Sequence, residues 1–368
     1  MANIKGVVFI KKHLNELQVY SGIAILFVTL IHSNGFFLAN ILHLKSYMGG
    51  GLGFYLADKV VHVAVPMFIF VSGYKYEIND KNEEYSKLIY KKCNKVLKPF
   101  LIVSIFWILY KCGNLYMQDV ILNKSVNGFN ILSVFLMDLI RIFLGFNYAY
   151  QLWYVPMYLL VVFGYPIIAK YLKNCKTRLP ILYIVGIILS IIQSKTKLLA
   201  SDYLNPINYI YYFFLYELGV QACRRGLNKK YGKIFLASYL VLLPAELFIK
   251  DSFINNMCTT LILVPLAVLA WYYVATLLKN SKILLTLGKY SFPIFLFHEP
   301  IFVKEISNLL LRHNLYISPI MIPIVSIASI LLSICFYEIL LKTNLGKYIF
   351  SIKKRTHGII APATNVAR

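Results

Sequence analysis

The chain has 368 residues, of which 59% are hydrophobic and only 14% charged, with a mean hydropathy of +0.66. A balance this apolar excludes a soluble globular domain and marks an integral membrane protein. The net charge of +23 would suit a nucleic-acid binder, but the basic residues lie in short stretches between apolar segments, where they act as topology signals and lipid-headgroup contacts; no nucleic-acid partner is expected.

Apolar stretches bounded by charge and by Pro or Gly predict spanning helices at 17 to 38, 60 to 77, 97 to 113, 151 to 169, 180 to 194, 207 to 223, 233 to 249, 257 to 278, 290 to 310 and 317 to 341. The expected fold is all-α, a polytopic bundle of about ten transmembrane helices. No polar stretch is long enough to fold alone, so residues 1–345 read as one membrane domain and 346–368 as a basic cytoplasmic tail. With the N-terminus inside, the inner loops hold about 28 of the 38 lysines and arginines, which puts both termini on the cytoplasmic side. The stretch from Phe129 to Phe146 is long enough to span, yet it carries Asp138 and Arg141 on one helical face. Counting it as a span would invert every later loop, so it reads as an extra interfacial or re-entrant helix with a surface ion pair. Cys93, Cys112, Cys175, Cys223, Cys258 and Cys335 show no CxxC spacing, and neither a disulfide framework nor a metal site is expected.

An ionised Asp, Lys or Arg at mid-span costs roughly 2.5 to 3.5 kcal/mol, so each ionisable group there needs a partner or a watery cavity. The candidates singled out in the predicted spans are His32, Glu217, His298, Glu299 and Glu338, with His62 at the outer start of the second span. A lone histidine is as often a hydrogen-bonded packing residue; two in one chain tilt the balance toward chemistry. A ring that titrates near neutrality is the usual base for taking a proton from a hydroxyl. Thr29, Ser33 and Gly35 surround His32 with small and polar groups, which fits a cavity better than lipid. Pro300 is expected to kink the helix just past His298 and to free carbonyls that need internal partners. Lys75 and the run KLIYKKCNKVLKPF, with Lys92, Lys95 and Lys98, offer cations to phosphate groups, or serve only as topology signals. Trp153 and Tyr154 suit an aromatic belt as well as a sugar-stacking platform.

Four stretches, SGIAILFVTLIH from Ser21, VPMFIFVSGY from Val65, LWYVPMYLL from Leu152 and LGKYSFPIFLFHEPI from Leu287, agree in order and spacing with one family. The chain resembles the acyltransferase-3 family of membrane O-acyltransferases, and within it the polysaccharide-modifying branch that includes the intercellular-adhesin C proteins. The resemblance implies a bacterial plasma-membrane enzyme that moves an acetyl or succinyl group from cytoplasmic acyl-CoA to a hydroxyl of an extracytoplasmic glycan or lipid-linked saccharide, without a metal. His32 matches the family's essential histidine. The family's arginine eleven residues earlier is Ser21 here, and Lys75 or the Lys92, Lys95 and Lys98 cluster can supply the missing cation. His32 is then the general base on the acceptor, or the first station of a covalent relay with His298 as the second. Ser72, Ser33 and Tyr74 are the nearest oxyanion donors in motif order. Trp153, Tyr154 and Glu217 are the candidate acceptor-binding residues. A glycan exporter that uses His32 or Glu217 for proton coupling, and an inactive acyltransferase-like protein, stand as alternatives. A homo-oligomer is left open.

Overall fold

The structure, a computed structural model, describes residues 2–40, 42, 52–121, 128–144, 152–196, 206–249, 251–315 and 318–351. Among these there are helices and no strands, as lipid demands of a chain that must satisfy its backbone internally. In chain order they are α1 (Ala2–Asn40), α2 (Leu52–Val61), α3 (Ala64–Lys75), α4 (Tyr85–Lys92), α5 (Lys98–Ile121), α6 (Gly128–Leu144), α7 (Tyr154–Tyr171), α8 (Cys175–Thr196) and α9 (Pro206–Arg225). There follow α10 (Lys229–Ala245), α11 (Ser252–Cys258), α12 (Val264–Leu277), α13 (Lys282–Lys289), α14 (Ser291–Phe297), α15 (Lys304–Arg312), α16 (Met321–Lys342) and α17 (Asn344–Ile349).

Seven stretches among the described residues are long and apolar enough to cross a membrane: Asn15–Leu38, Ala57–Asp80, Tyr85–Met117, Tyr154–Tyr171, Lys229–Phe248, Phe253–Leu277 and Met321–Lys342. The other expected spans, at 180 to 194, 207 to 223 and 290 to 310, fall on α8, α9 and the run from α14 to α15.

Helix α1 is the hub, packed against α3, α12, α13, α14 and α16. Its residues Leu17, Val19, Tyr20, Ala24 and Ile25 are fully buried. Without a hydrophobic drive between helices in lipid, close backbone approach supplies the contact energy, and small residues permit it. Two reciprocal glycine pairs do so here. A Cβ on Gly22 would strike the Leu284 carbonyl, and one on Gly288 the Gln18 carbonyl, which locks α1 to α13. Gly73 and Gly219 lock α3 to α9 in the same way, against the Tyr216 and Phe70 carbonyls.

Prolines shape the helix ends. A proline ring clashes with the carbonyl four residues back, and one turn of wider π-helix relieves it. Such turns stand before Pro99 (Cys93–Leu97) and before Pro265 (Thr259–Leu263), and a third runs through Pro300 (His298–Val303) where the kink was expected. The first of these makes KLIYKKCNKVLKPF continuous with the span after it, so the expected basic loop is helix from Tyr85 onward.

Two other expectations change. Asp138 is not on the surface: α6 lies on α5, its carboxylate is fully buried, and Lys111 Nζ meets it at 2.6 Å. A desolvated carboxylate needs a cation, and α5 provides one; the Arg141 side chain lies outside the described residues. The folded body also runs past residue 345, because α17 packs on α16 and α5, and Ser351 Oγ donates to the Asn94 carbonyl at 3.1 Å. The tail beyond residue 351 lies outside the described residues.

Candidate active site

At the lysine-rich end of the bundle, α1, α3, α4, α7 and α14 enclose a cavity of about 680 Å³. Lys75, Lys91, Lys92 and Lys95 line it against two carboxylates, Asp80 and Glu83, so its wall carries a net positive charge. Lys91 Nζ lies 2.6 Å from Asp80 and 3.2 Å from Glu83, and Lys92 Nζ lies 3.3 Å from Asp80. Lys75 and Lys95 meet no carboxylate among the described residues, and their charges face the cavity uncompensated. Ser21 is in the same wall, its hydroxyl donating to the Leu17 carbonyl at 2.9 Å. The serine at the family's arginine position and three of the candidate lysines, Lys75, Lys92 and Lys95, thus share one chamber. Ser72 also lines it and donates to Tyr158 Oη at 3.0 Å.

The histidine pair lies deeper. His32 on α1 and His298 at the end of α14 have ring centroids 5.0 Å apart. His298 is fully buried, with Nδ1 at 2.9 Å from the Ile294 carbonyl and 3.0 Å from that of Phe295. Carbonyls only accept, so Nδ1 carries the proton and Nε2 keeps the lone pair. That Nε2 has no hydrogen-bond partner among the described residues, which is unusual for a buried nitrogen and typical of a site awaiting a ligand or a proton.

A serine stripe on α16 holds the pair in place. Ser329 Oγ donates to the carbonyl of His298, the first residue of the π turn, at 3.1 Å. Ser326 Oγ donates to Thr29 Oγ1 at 2.7 Å, and Thr29 donates to the Leu26 carbonyl at 2.9 Å, one turn before His32.

An aromatic wall separates chamber and histidines. Phe295 and Tyr154 both line the cavity, their centroids 5.5 Å apart, and Phe295 stacks on toward His298 at 6.3 Å. Neither histidine lines the cavity.

Other candidates lie elsewhere. Lys98 is outside the cavity lining, with its ammonium 3.5 Å from the centre of the Tyr348 ring. Trp153 packs edge-on to Tyr154 and does not line the chamber. Glu217 is fully buried in a closed network: Arg178 Nη1 lies 3.2 Å away, Gln221 Nε2 donates to it at 2.5 Å, and Tyr165 donates a further, short hydrogen bond. It does not line the chamber. Tyr74 is buried among Phe70 and Tyr272. Asp80, Glu83, Tyr158, Ser291 and Phe295 were not singled out by sequence; Phe295 alone had a signal, three positions before His298 on one face.

Fold and site together define a polytopic membrane enzyme with a cationic chamber at one end and a histidine pair beyond it. Residues 17–338 match the sequence profile of the acyltransferase-3 family, described as an acyltransferase domain. The chain belongs to that family and is a membrane acyltransferase. Comparisons with curated proteins and with solved structures give no match.

Proposed function

We propose that this acyltransferase takes a short acyl group, acetyl or succinyl, from cytoplasmic acyl-CoA and places it on a hydroxyl of an extracytoplasmic glycan or lipid-linked saccharide. The observation that carries this reading is the cationic chamber, whose uncompensated lysines share a wall with Ser21 on the helix that leads to His32. Coenzyme A is a polyanion, and lysines at the mouth of a low-dielectric cavity suit its phosphates. The lysine-rich end then faces the cytoplasm of a cell whose plasma membrane holds the bundle, with both termini inside.

His32 acts as general base. It takes the proton of the acceptor hydroxyl as the oxygen attacks the thioester carbonyl; the carbon–sulfur bond breaks, and the thiolate leaves with that proton as the thiol. His298 accepts a hydrogen bond from protonated His32 at its Nε2, because the Ile294 and Phe295 carbonyls hold its own proton on Nδ1. That spreads the imidazolium charge in a place where charge is expensive. The thioester reaches the pair past Tyr154 and Phe295, so the wall must part as the donor enters.

The test uses full-length protein purified in detergent, with binding and turnover of acetyl-CoA and succinyl-CoA followed directly, and acylation of surface glycan measured in cells by mass spectrometry. Binding of one donor, with glycan acylation lost in His32→Ala, is the expected result. Protein that binds neither donor, or unchanged acylation in His32→Ala, overturns the reading.

A further inference from the structure

The wall between the lysine chamber and His298 is one side chain thick. Phe292 and Phe295, three apart on one face of α14, both line the chamber, and the Phe295 ring also meets the His298 ring at 6.3 Å. Its neighbours Pro293, Ile294, Leu296 and Phe297 are buried and fix the helix, whereas the Phe295 ring borders the cavity. Beside it stands Tyr154, 5.5 Å away, packed in turn against Phe68 at 6.3 Å and Tyr158 at 5.6 Å. A group that passes from the chamber to His298 therefore displaces the Phe295 ring, and the chamber is the space that ring can swing into.

We infer that Phe295, backed by Tyr154, is the specificity-determining residue for the acyl group: it admits a short neutral one and holds back one that is longer or charged. The inference rests on the acyl-transfer reading above. Size follows from packing. In a close-packed interior a ring that swings aside vacates about its own volume, which holds an acetyl or propionyl group and is too small for a branched six-carbon chain.

Charge selection follows from where the cations are. Lys75, Lys91, Lys92 and Lys95 all line the chamber, on the near side of the ring. On the far side the groups around His298 are acceptors: the Ile294 and Phe295 carbonyls hold its Nδ1 proton, and Nε2 offers a lone pair. A succinyl carboxylate carried past Phe295 leaves the ammonium groups behind and meets lone pairs, whereas an acetyl methyl loses nothing by the same move. The lysines grip the same coenzyme whatever acyl group it carries, so the choice is made in transfer.

The experiment separates size from charge. Inverted vesicles from cells that make the full-length protein and its own glycan receive acetyl-CoA, succinyl-CoA or isocaproyl-CoA, the last a neutral chain close to succinyl in size and shape. Acyl groups gained by the glycan are counted by mass spectrometry. Acetyl transfer should exceed succinyl transfer by about a hundredfold and isocaproyl transfer by about tenfold or more. In Phe295→Ala, isocaproyl should gain about tenfold relative to acetyl while succinyl stays as low as before, because the variant makes room without supplying a cation. Phe295→Leu moves the same ratio in the same direction and keeps the test valid if Phe295→Ala does not fold. Succinyl transfer within about tenfold of acetyl, or an isocaproyl-to-acetyl ratio that neither variant moves, would overturn the inference. Titration of purified protein with acetyl-CoA tells this failure from the other: protein that binds no acyl-CoA sinks the donor reading itself.

Discussion

Lys75→Met tests the chamber most directly, because the structure separates lysines that are already engaged from those that are not. Lys91 spends its charge on Asp80 at 2.6 Å and Glu83 at 3.2 Å, and it is 32% exposed. Removing it leaves Asp80 with Lys92 at 3.3 Å, so a phosphate in the chamber loses little. Exposed pairs of this kind are worth about 0.2 to 1 kcal/mol. Lys75 has no carboxylate among the described residues, and a hydrogen bond to a charged group contributes about 1.5 to 3 kcal/mol. Lys75→Met should therefore raise the Kd for acetyl-CoA about ten- to a hundredfold, whereas Lys91→Met stays within about fivefold. Isothermal titration on detergent-purified protein reads both values, and repeating it with dephospho-CoA identifies which phosphate Lys75 meets. Equal losses in the two variants, or none in Lys75→Met, would refute the assignment of the chamber to a phosphorylated donor.

The remaining predictions concern His298 and Glu217. In His298→Asn the side-chain amide can still donate toward the Ile294 and Phe295 carbonyls while the Nε2 lone pair is gone, so the protein should fold, bind donor and lose acyl transfer by about a hundredfold or more; transfer at the native rate would show that this nitrogen takes no part. Glu217→Gln leaves Arg178 buried without its counter-charge and should cost about 3 to 5 kcal/mol, seen as a large fall in melting temperature in detergent. Adding Arg178→Met should restore much of the loss. A Glu217→Gln protein that melts like the native one but loses activity would instead give Glu217 a role toward substrate or protons.

The sequence shows the bundle plainly, because lipid forces long apolar helices. His32 and His298 were legible for the same reason: a polar ring in an apolar run stands out. That their rings meet was not, since 266 residues separate them and contact depends on how α14 lies against α1. Pro300 announced a kink, but only the fold reveals that Ser329 donates to the His298 carbonyl beside it. Ser326, Ser329 and Ser333, three and four apart on an apolar helix, were a readable stripe whose use depended on α16 packing beside α1. Glu217 shows the limit from the other side. A buried carboxylate in a span invites a functional reading, and its Arg178 partner sits in a stretch whose basic residues otherwise serve as topology signals. Asp138 misled in the same way, because Lys111, a cation that meets it, comes from the neighbouring helix.

The aromatic wall bears on the choice between an enzyme and an exporter. An exporter needs a route that takes the whole glycan through the bundle, and helices that can open it in alternation. Here the lysine chamber stops at Tyr154 and Phe295, and α1 is locked to α13 and α3 to α9 by reciprocal glycine contacts that leave little room to slide. An acyl group is far smaller than a sugar polymer, and rotation of two rings is enough to admit it. On the proposed reading, a rigid frame with a narrow wall would also keep water from a thioester at the histidines, as transfer to a hydroxyl rather than hydrolysis requires. Proton coupling would further need an ionisable group able to lose its partner, yet Glu217 is held by Arg178, Tyr165 and Gln221 at once. These features favour transfer across a fixed barrier over passage through a moving one.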